Sequence, residues 1–456
     1  MTQVEQLSEF VNRAEFDQLS QKARNRLKIC VLDALACALG AMDAEPLRWI
    51  REQVEEFGGA GLCMLIGGGR TAPDRAAFYN GALVRYLDFN DSFLAPGETC
   101  HPSDNLSSVL AAAEYAKRSG REFLTALAVA YQIQCRLSEA APVRNKGFDH
   151  ATQGAYAVAA GVSKALGLSQ AQTANAVAIA GSAYNPLRVT RTGALSHWKG
   201  LAYPNTAFGA VHATFLARRG ITGPLEVFEG NKGFMDAIAG PFAIDWPEEN
   251  LEKVTSVILK KYNAEVHSQS AIDAALELKR EHPFAAPDVE RVDLETFDVA
   301  HNIIGGGEEG EKTTVQTKEQ ADHSLQYILA AAILDGQVMP EQYCPERIQR
   351  PDIQKLLRKI FVRPSPELSR RFPSHMPVRL EVRLRNGRVL QREQDDYEGF
   401  NTRPMSWETV VKKFELLGYS LTGAALRQQI VEAVANLEEV PITYLTGLLA
   451  QVRTHS

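Results

Sequence analysis

No two of the six cysteines (Cys30, Cys37, Cys63, Cys100, Cys135 and Cys344) stand at the two-residue spacing that zinc ribbons and many cluster-binding motifs use. Cys30 and Cys37 lie a heptad apart in an apolar helical pattern, which reads as small core residues rather than ligands. A disulfide framework is equally disfavoured. There is no run of about 18 apolar residues, so no membrane span is expected. The amino-terminal stretch MTQVEQLSEFVNRAEFDQLS is acidic and mixed, where a cleaved signal would be basic and then apolar. A soluble, cytoplasmic protein is the expectation. Positive charge is also in short supply. A net charge of -6 disfavours a general polyanion-binding role, and nucleic acid is not an expected partner. Internal repeats and low-complexity tracts are missing too.

What is present is globular in balance, with 45% hydrophobic and 23% charged residues. At 456 residues the chain exceeds the roughly 250 to 300 at which a single core stops growing, so two domains are expected. The first half reads as successive helices. Ser20 to Met42 places Leu27, Val31, Leu35 and Leu39 on one stripe. Thr71 to Asp88 opens with Thr-Ala-Pro and leaves Asp88 at a helix end. Asp104 to Ser119 and Glu122 to Leu137 repeat the pattern, with Gly120 as the stop between them. Residues 151 to 182 are rich in Ala and Gly; Gly167 ends one helix there, and Ser169 to Gln172 has the capping-box spacing that starts the next.

After about residue 256 the texture changes. Val289 to Val299 alternates like a strand, and Pro377 to Gln391 reads as a hairpin turning at Asn386-Gly387. Ala321 to Gly336 and Asp352 to Ile360 look helical, and helical periodicity returns at Trp407 to Leu417 and Gly423 to Ala435. The predicted fold is mainly α with an inserted α+β domain. Residues 1–256 and 399–456 form a large helical domain, and residues 257–398 the smaller unit.

Several polar clusters are candidates for chemistry. The window Arg85 to Asn105 (RYLDFNDSFLAPGETCHPSDN) delivers Asp88 and His101 on a loop, an acid/base pairing, ahead of Asp104 as a helix cap. One His with scattered carboxylates is a weak metal signal. His150 opens the small-residue helix, either as a cap or as a neutral imidazole near a substrate carboxylate. Arg188, Arg191, His197 and Lys199 gather beside Trp198, either to bind a carboxylate-rich metabolite or as an exposed basic loop. The block Lys260 to Gln269 stands at the domain junction, where clefts tend to lie. His323 and Tyr327 fall four apart on one predicted helix face.

Leu87-Asp88-Phe89-Asn90-Asp91, followed by His101-Pro102-Ser103-Asp104-Asn105, resembles the signature of the MmgE/PrpD family, the 2-methylcitrate dehydratase family that also contains cis-aconitate decarboxylase. The resemblance continues in Leu195 to Gly200, Phe228-Glu229-Gly230, Tyr262 to Gln269 and Ala321 to Tyr327, nearly the whole chain in the family's order. It implies a helical domain with an α+β lid, a homodimer, no metal or organic cofactor, and an active site in the interdomain cleft. The family's catalytic positions carry over onto Asp88, His101, His150, Lys260 and Tyr327. Ser92, Arg188, Arg191, His197, Lys199, His267 and His323 are the expected substrate-binding set. Ser92 stands where decarboxylases have a threonine, Glu265 replaces a histidine they carry, and their Lys-Pro-Leu-His run is missing near Gly193 to His197. Ser92 keeps the hydroxyl; the other two departures disfavour the decarboxylase, while His267-Ser268-Gln269 and the Trp198-Lys199 pair resemble the dehydratase branch.

The implied reaction is metal-independent dehydration of a hydroxy-tricarboxylate, 2-methylcitrate or citrate, to the corresponding cis-aconitate, with propionate catabolism as the setting. Decarboxylation of cis-aconitate or epimerisation of an amino dicarboxylate on the same scaffold is the alternative. In this reading His101, oriented by Asp88, is one proton-transfer group and Tyr327 or His150 the other. Lys199 and Lys260, with Arg188 or Arg191, would hold carboxylates.

Overall fold

Helix ends in this chain are set by short polar side chains. In the computed structural model, which describes residues 1–453, Ser20 accepts a hydrogen bond from the Ala23 amide and starts Gln21–Ala41. Ser169 and Gln172 close a reciprocal capping box on Gln170–Ala183. Gly167, left-handed at φ 70°, ends Ala151–Leu166 as expected of a C-terminal glycine. Pro73 opens Pro73–Tyr86, where its missing amide is not needed.

Gly120 has a different role from the one its composition implies. Ser119 and Glu122 form a capping box there, so Gly120 is the first residue of Gly120–Ala140 rather than a stop. A Cβ on it would lie 1.5 Å from the Leu437 carbonyl oxygen, so glycine is what lets the carboxy-terminal segment reach this helix. The Ala- and Gly-rich helices do pack closely. A Cβ at Gly154 would come within 2.4 Å of the Tyr203 ring, and one at Gly181 within 2.0 Å of Tyr156.

Apolar burial divides the chain. One continuous core draws on residues from Val4 to Leu259 and again from Met405 to Val452. A second runs from Tyr262 to Leu390. A small third cluster, including Ile258, Val266, Phe297 and Tyr397, sits at the junction. The molecule is therefore mainly helical with one small mixed sheet. In that sheet Val289–Thr296 pairs in parallel with Ile360–Pro364 and antiparallel with Val378–Leu384, whose hairpin partner Val389–Gln394 forms the edge. Gly387 in the hairpin turn has φ 84°, as the Asn-Gly signal requires. Val292, Leu294, Leu380 and Val382 face inward beneath helices Gln269–Glu281 and Leu325–Asp335, and their alternating neighbours face solvent.

Two expected helices come out shorter. Asp352 to Ile360 gives the helix Pro351–Leu356, after which Ile360, Phe361 and Val362 enter the sheet because β-branched and aromatic side chains suit its pairing with Val292 to Leu294. The helix expected from Ala321 starts at Leu325 under a Ser324 cap, which leaves His323 in the preceding turn. His323 and Tyr327 therefore do not share a helix face. Among the described residues, no helix is long and apolar enough to cross a membrane.

Candidate active site

The helix Pro73–Tyr86 stops just short of Asp88, which adopts φ 55°, a left-handed conformation that aspartate tolerates better than most residues. That turn sends its carboxylate inward to meet three cations. Arg85 Nη1 is 2.6 Å and Lys260 Nζ 2.7 Å from Oδ1, and Lys199 Nζ is 3.3 Å from Oδ2. Lys260 also donates to the Asp88 carbonyl at 2.6 Å. Burial opposes ionisation, but Arg85, Lys260 and Lys199 together hold the Asp88 carboxyl well below its ordinary range. It is a permanent anion.

The ion network extends outward from this hub. Lys199 also reaches Asp322 at 2.7 Å, Lys318 reaches the other Asp322 oxygen at 2.7 Å, and Arg85 Nε lies 3.6 Å from Asp104. Four cations (Arg85, Lys199, Lys260, Lys318) thus surround three carboxylates (Asp88, Asp104, Asp322), an excess of one positive charge. Asp88, Asp322 and His323 bring ligand-type atoms within 4.8 Å of one another. Lys199 Nζ already stands among them, 2.9 Å from His323 Nδ1. The ammonium supplies the positive charge there, so this group does not fit a metal ion.

His101 is oriented by its own loop. Its Nδ1 is 2.7 Å from the Asp91 carbonyl and 3.1 Å from Ser92 Oγ. A carbonyl can only accept, so Nδ1 carries the proton and Nε2 keeps the lone pair. Burial, with the charges of Arg85 and Lys260, pushes the ring's pKa well below the usual histidine value and keeps it neutral. The expectation that Asp88 orients His101 is therefore corrected: the Asp91 backbone and Ser92 do so, while the Asp88 carboxylate is spent on its cations. Ser92 itself is fixed by backbone pairing with Ile258.

His267 mirrors this arrangement from the second core. Its Nδ1 is 2.7 Å from Glu265 Oε1, and its Nε2 is buried with no partner among the described residues. Burial disfavours a charged Glu265, but His267, His323 and Lys260 outweigh it and hold the carboxyl at about 2. His150 packs edge-on to His101, with ring centroids 5.2 Å apart, and its Nε2 likewise has no hydrogen-bond partner among the described residues. The cap at the start of its helix is made instead by Asp149, which accepts from the Ala151 amide at 3.0 Å. Asp104 is not the predicted cap either. Its carboxylate accepts from Asn90 at 2.8 Å, and the helix begins at Leu106 after a tight turn at Pro102–Asn105.

These groups meet at one cavity between the two cores. Arg85, Asp88, Glu98, His101, Arg144, His150, Arg188 and Arg191 line it from one side, and Glu265, His267, Ile303, Glu309 and His323 from the other. Its free volume is about 30 Å³. Arg191 is bound by Asp149, and Arg188 donates to Glu309 at 2.6 Å. Among the described residues no side-chain partner is found for Arg144, whose backbone amide is held by Glu98 at 3.0 Å.

Of the twelve residues singled out from the sequence, the structure brings Asp88, His101, His150, Arg188, Arg191, His267 and His323 to the cavity. Lys199 and Lys260 lie behind Asp88 and neutralise it rather than reaching a ligand directly, and Ser92 acts through His101. Tyr327 is not brought there. Its hydroxyl donates to the Gln342 carbonyl at 2.5 Å, a bond internal to the second core. His197 is exposed and packs on Trp49. Sequence reasoning missed Arg85, Arg144, Glu98, Asp149, Glu309 and Asp322. Arg85, one helical turn before Asp88, and Asp322, adjoining His323, carried a detectable spacing signal; Arg144 and Glu309 carried none.

Residues 5–247 match the MmgE/PrpD N-terminal domain, and residues 262–439 the MmgE/PrpD C-terminal domain. The chain is 30% identical to 2-methylcitrate dehydratase of Cupriavidus necator, over 71% of this chain and 70% of that protein. It is 28% identical to 2-methylcitrate dehydratase of Escherichia coli (strain K12), over 75% and 73%. It is 27% identical to cis-aconitate decarboxylase of Mus musculus, over 83% and 79%.

Proposed function

The chain belongs to the MmgE/PrpD family and is a lyase, and on that premise we propose that it dehydrates a hydroxy-tricarboxylate, 2-methylcitrate in the first instance, to the cis-aconitate. One observation carries this reading. Two imidazoles present proton-transfer nitrogens to one arginine-lined cavity, and each is fixed through its other nitrogen to a different kind of acceptor.

Dehydration needs a base beside a carboxylate-activated C–H bond, an acid at the leaving hydroxyl, and positive charge for the carboxylates. His101, neutral and anchored on a backbone carbonyl, is the base: Nε2 takes the proton. His267, anchored on the anionic Glu265, is the acid, because the carboxylate balances the charge of a doubly protonated ring. The C–H and C–O bonds break, a C=C bond forms, and water leaves with the proton from His267. Arg144 and Arg188 hold carboxylates. The cation excess around Asp88 stabilises the enolate-like charge that develops as the proton departs.

The test is direct. Purified protein is incubated with chelator and either 2-methylcitrate or cis-aconitate, while ultraviolet absorbance of the conjugated product and carbon dioxide release are followed. Absorbance growing from 2-methylcitrate without carbon dioxide is the expected result. Carbon dioxide from cis-aconitate, with no change in 2-methylcitrate, would replace this reading with the decarboxylase one, which the likeness to the mouse enzyme keeps in view.

A further inference from the structure

The candidate cavity is nearly full as it stands. Its free volume of about 30 Å³ is room for one or two waters, against the roughly 300 Å³ or more of a typical small-molecule pocket. Part of what fills it is a carboxylate of the protein itself. Glu309 lies over the arginine edge, with Oε1 2.6 Å from Arg188 Nη2 and 3.2 Å from Nε. Its other oxygen is buried with no partner among the described residues, and the side chain is only 9% exposed.

The two members of this pair are held differently. Arg188 is anchored on the first core, its backbone amide donating to the Gly147 carbonyl at 2.9 Å. Glu309 belongs to the second core and sits on the run Gly305-Gly306-Gly307-Glu308-Glu309-Gly310, in which Gly306 and Gly310 have φ of 105° and 101°. Glycine accepts both hands of backbone conformation, so the run can change course without steric penalty, giving up the bonds that the Gly307 and Glu309 amides donate to the His301 and Asn302 carbonyls at 3.0 and 2.9 Å. Arg144, for whose side chain the described residues offer no partner, lines the same edge. It is destabilised as a cation by burial, which pushes its pKa down.

We propose that Arg188 and Arg144 form the seat for one substrate carboxylate, and that Glu309 is an internal carboxylate that occupies this seat in the free enzyme and is exchanged for the substrate's. This rests on the tricarboxylate reading above. Glu309 is then a specificity and affinity determinant. A ligand must offer a carboxylate that outcompetes it, and apparent affinity is lowered by the fraction of molecules in which Glu309 is seated.

The experiment uses the whole chain and tricarballylate, a tricarboxylate that lacks the hydroxyl and cannot be dehydrated. Calorimetry measures its binding to wild type, Glu309→Gln and Glu308→Gln. Backbone hydrogen exchange over residues 301 to 312 is followed in each protein with and without ligand. Glu309→Gln is expected to bind about tenfold more tightly, while the exposed Glu308→Gln matches wild type. Ligand should speed exchange in this segment of wild type, and Glu309→Gln should exchange fast with none bound. Weaker binding by Glu309→Gln, equal tightening by Glu308→Gln, or ligand that protects the segment in wild type would overturn the proposal. If neither wild type nor Glu309→Gln binds tricarballylate, yet Glu309→Gln still exchanges fast, the tricarboxylate reading fails while the internal latch stands.

Discussion

The molecule carries two dense ion networks, and they differ in everything but composition. On the solvent face of the sheet, Arg291 pairs with Asp293, Arg363 with Glu295, and Arg379 with both Glu367 and Glu393. Arg379 is 35% and Glu393 48% exposed, so water screens each pair and competes for it. Around Asp88 the partners are 0 to 3% exposed. There, removing one charge leaves the others without compensation. Charge density alone therefore does not mark a site; charges that have lost water and are short of one counter-charge do.

The largest effect is expected at the hub. Asp88→Asn would leave Arg85, Lys260 and Lys199 facing each other, and chemical denaturation should report a loss of about 3 to 5 kcal/mol. A loss below about 1 kcal/mol would erase the contrast between the two networks. His267→Gln comes next. It should lower kcat about 10² to 10⁴-fold by removing a proton donor, and it should also cost stability, because the buried Glu265 carboxylate loses the ring that faces it at 2.7 Å. Unchanged kcat would remove His267 from the chemistry.

The contrast also has a pH signature. Burial and the nearby Lys199 lower the His323 pKa from 6.5 to about 4, so between those values the unfolded chain binds a proton that the folded protein refuses. Stability is accordingly lost as pH falls from about 6.5 to about 4, by up to roughly 3 kcal/mol from this ring. Asp91, raised from 3.8 to about 6 by burial, works in the opposite direction and offsets part of the loss below pH 6. His323→Asn should flatten the decline in denaturation curves taken across this window; an unchanged slope would assign the decline to other groups. The smallest effect belongs to the sheet face. Arg379→Ala should change stability by less than about 1 kcal/mol and leave turnover as it was. A larger cost would mean that the exposed network is stronger than its exposure allows.

The elements that were legible in the sequence are those with a local signal. Ser169 to Gln172, Gly167 and Asn386-Gly387 each determine their structure within four residues, and the structure agrees. Gly120 misled although Ser119 and Glu122 beside it carry the capping-box spacing; only the need for glycine itself, the approach of Leu437, lies 317 positions away. Ile360 misled because a parallel partner, Val292, decides its state. The site divides the same way. Asp88 and His101 could be found from their motif, but not what each touches: Asp91 and Ser92 orient His101, and Lys260 arrives at Asp88 from 172 residues along the chain. Glu309, in a glycine-rich stretch with no periodicity, becomes informative only once Arg188 is seen beside it.

The central claim is that His101, neutral and presented by Asp91, is the base of a dehydratase. Initial rates with 2-methylcitrate in the presence of chelator, compared for wild type and His101→Gln, test it most directly. The account predicts conjugated product from wild type and a rate about 10² to 10⁴-fold lower from a folded His101→Gln. Near-parental turnover by folded His101→Gln would contradict it.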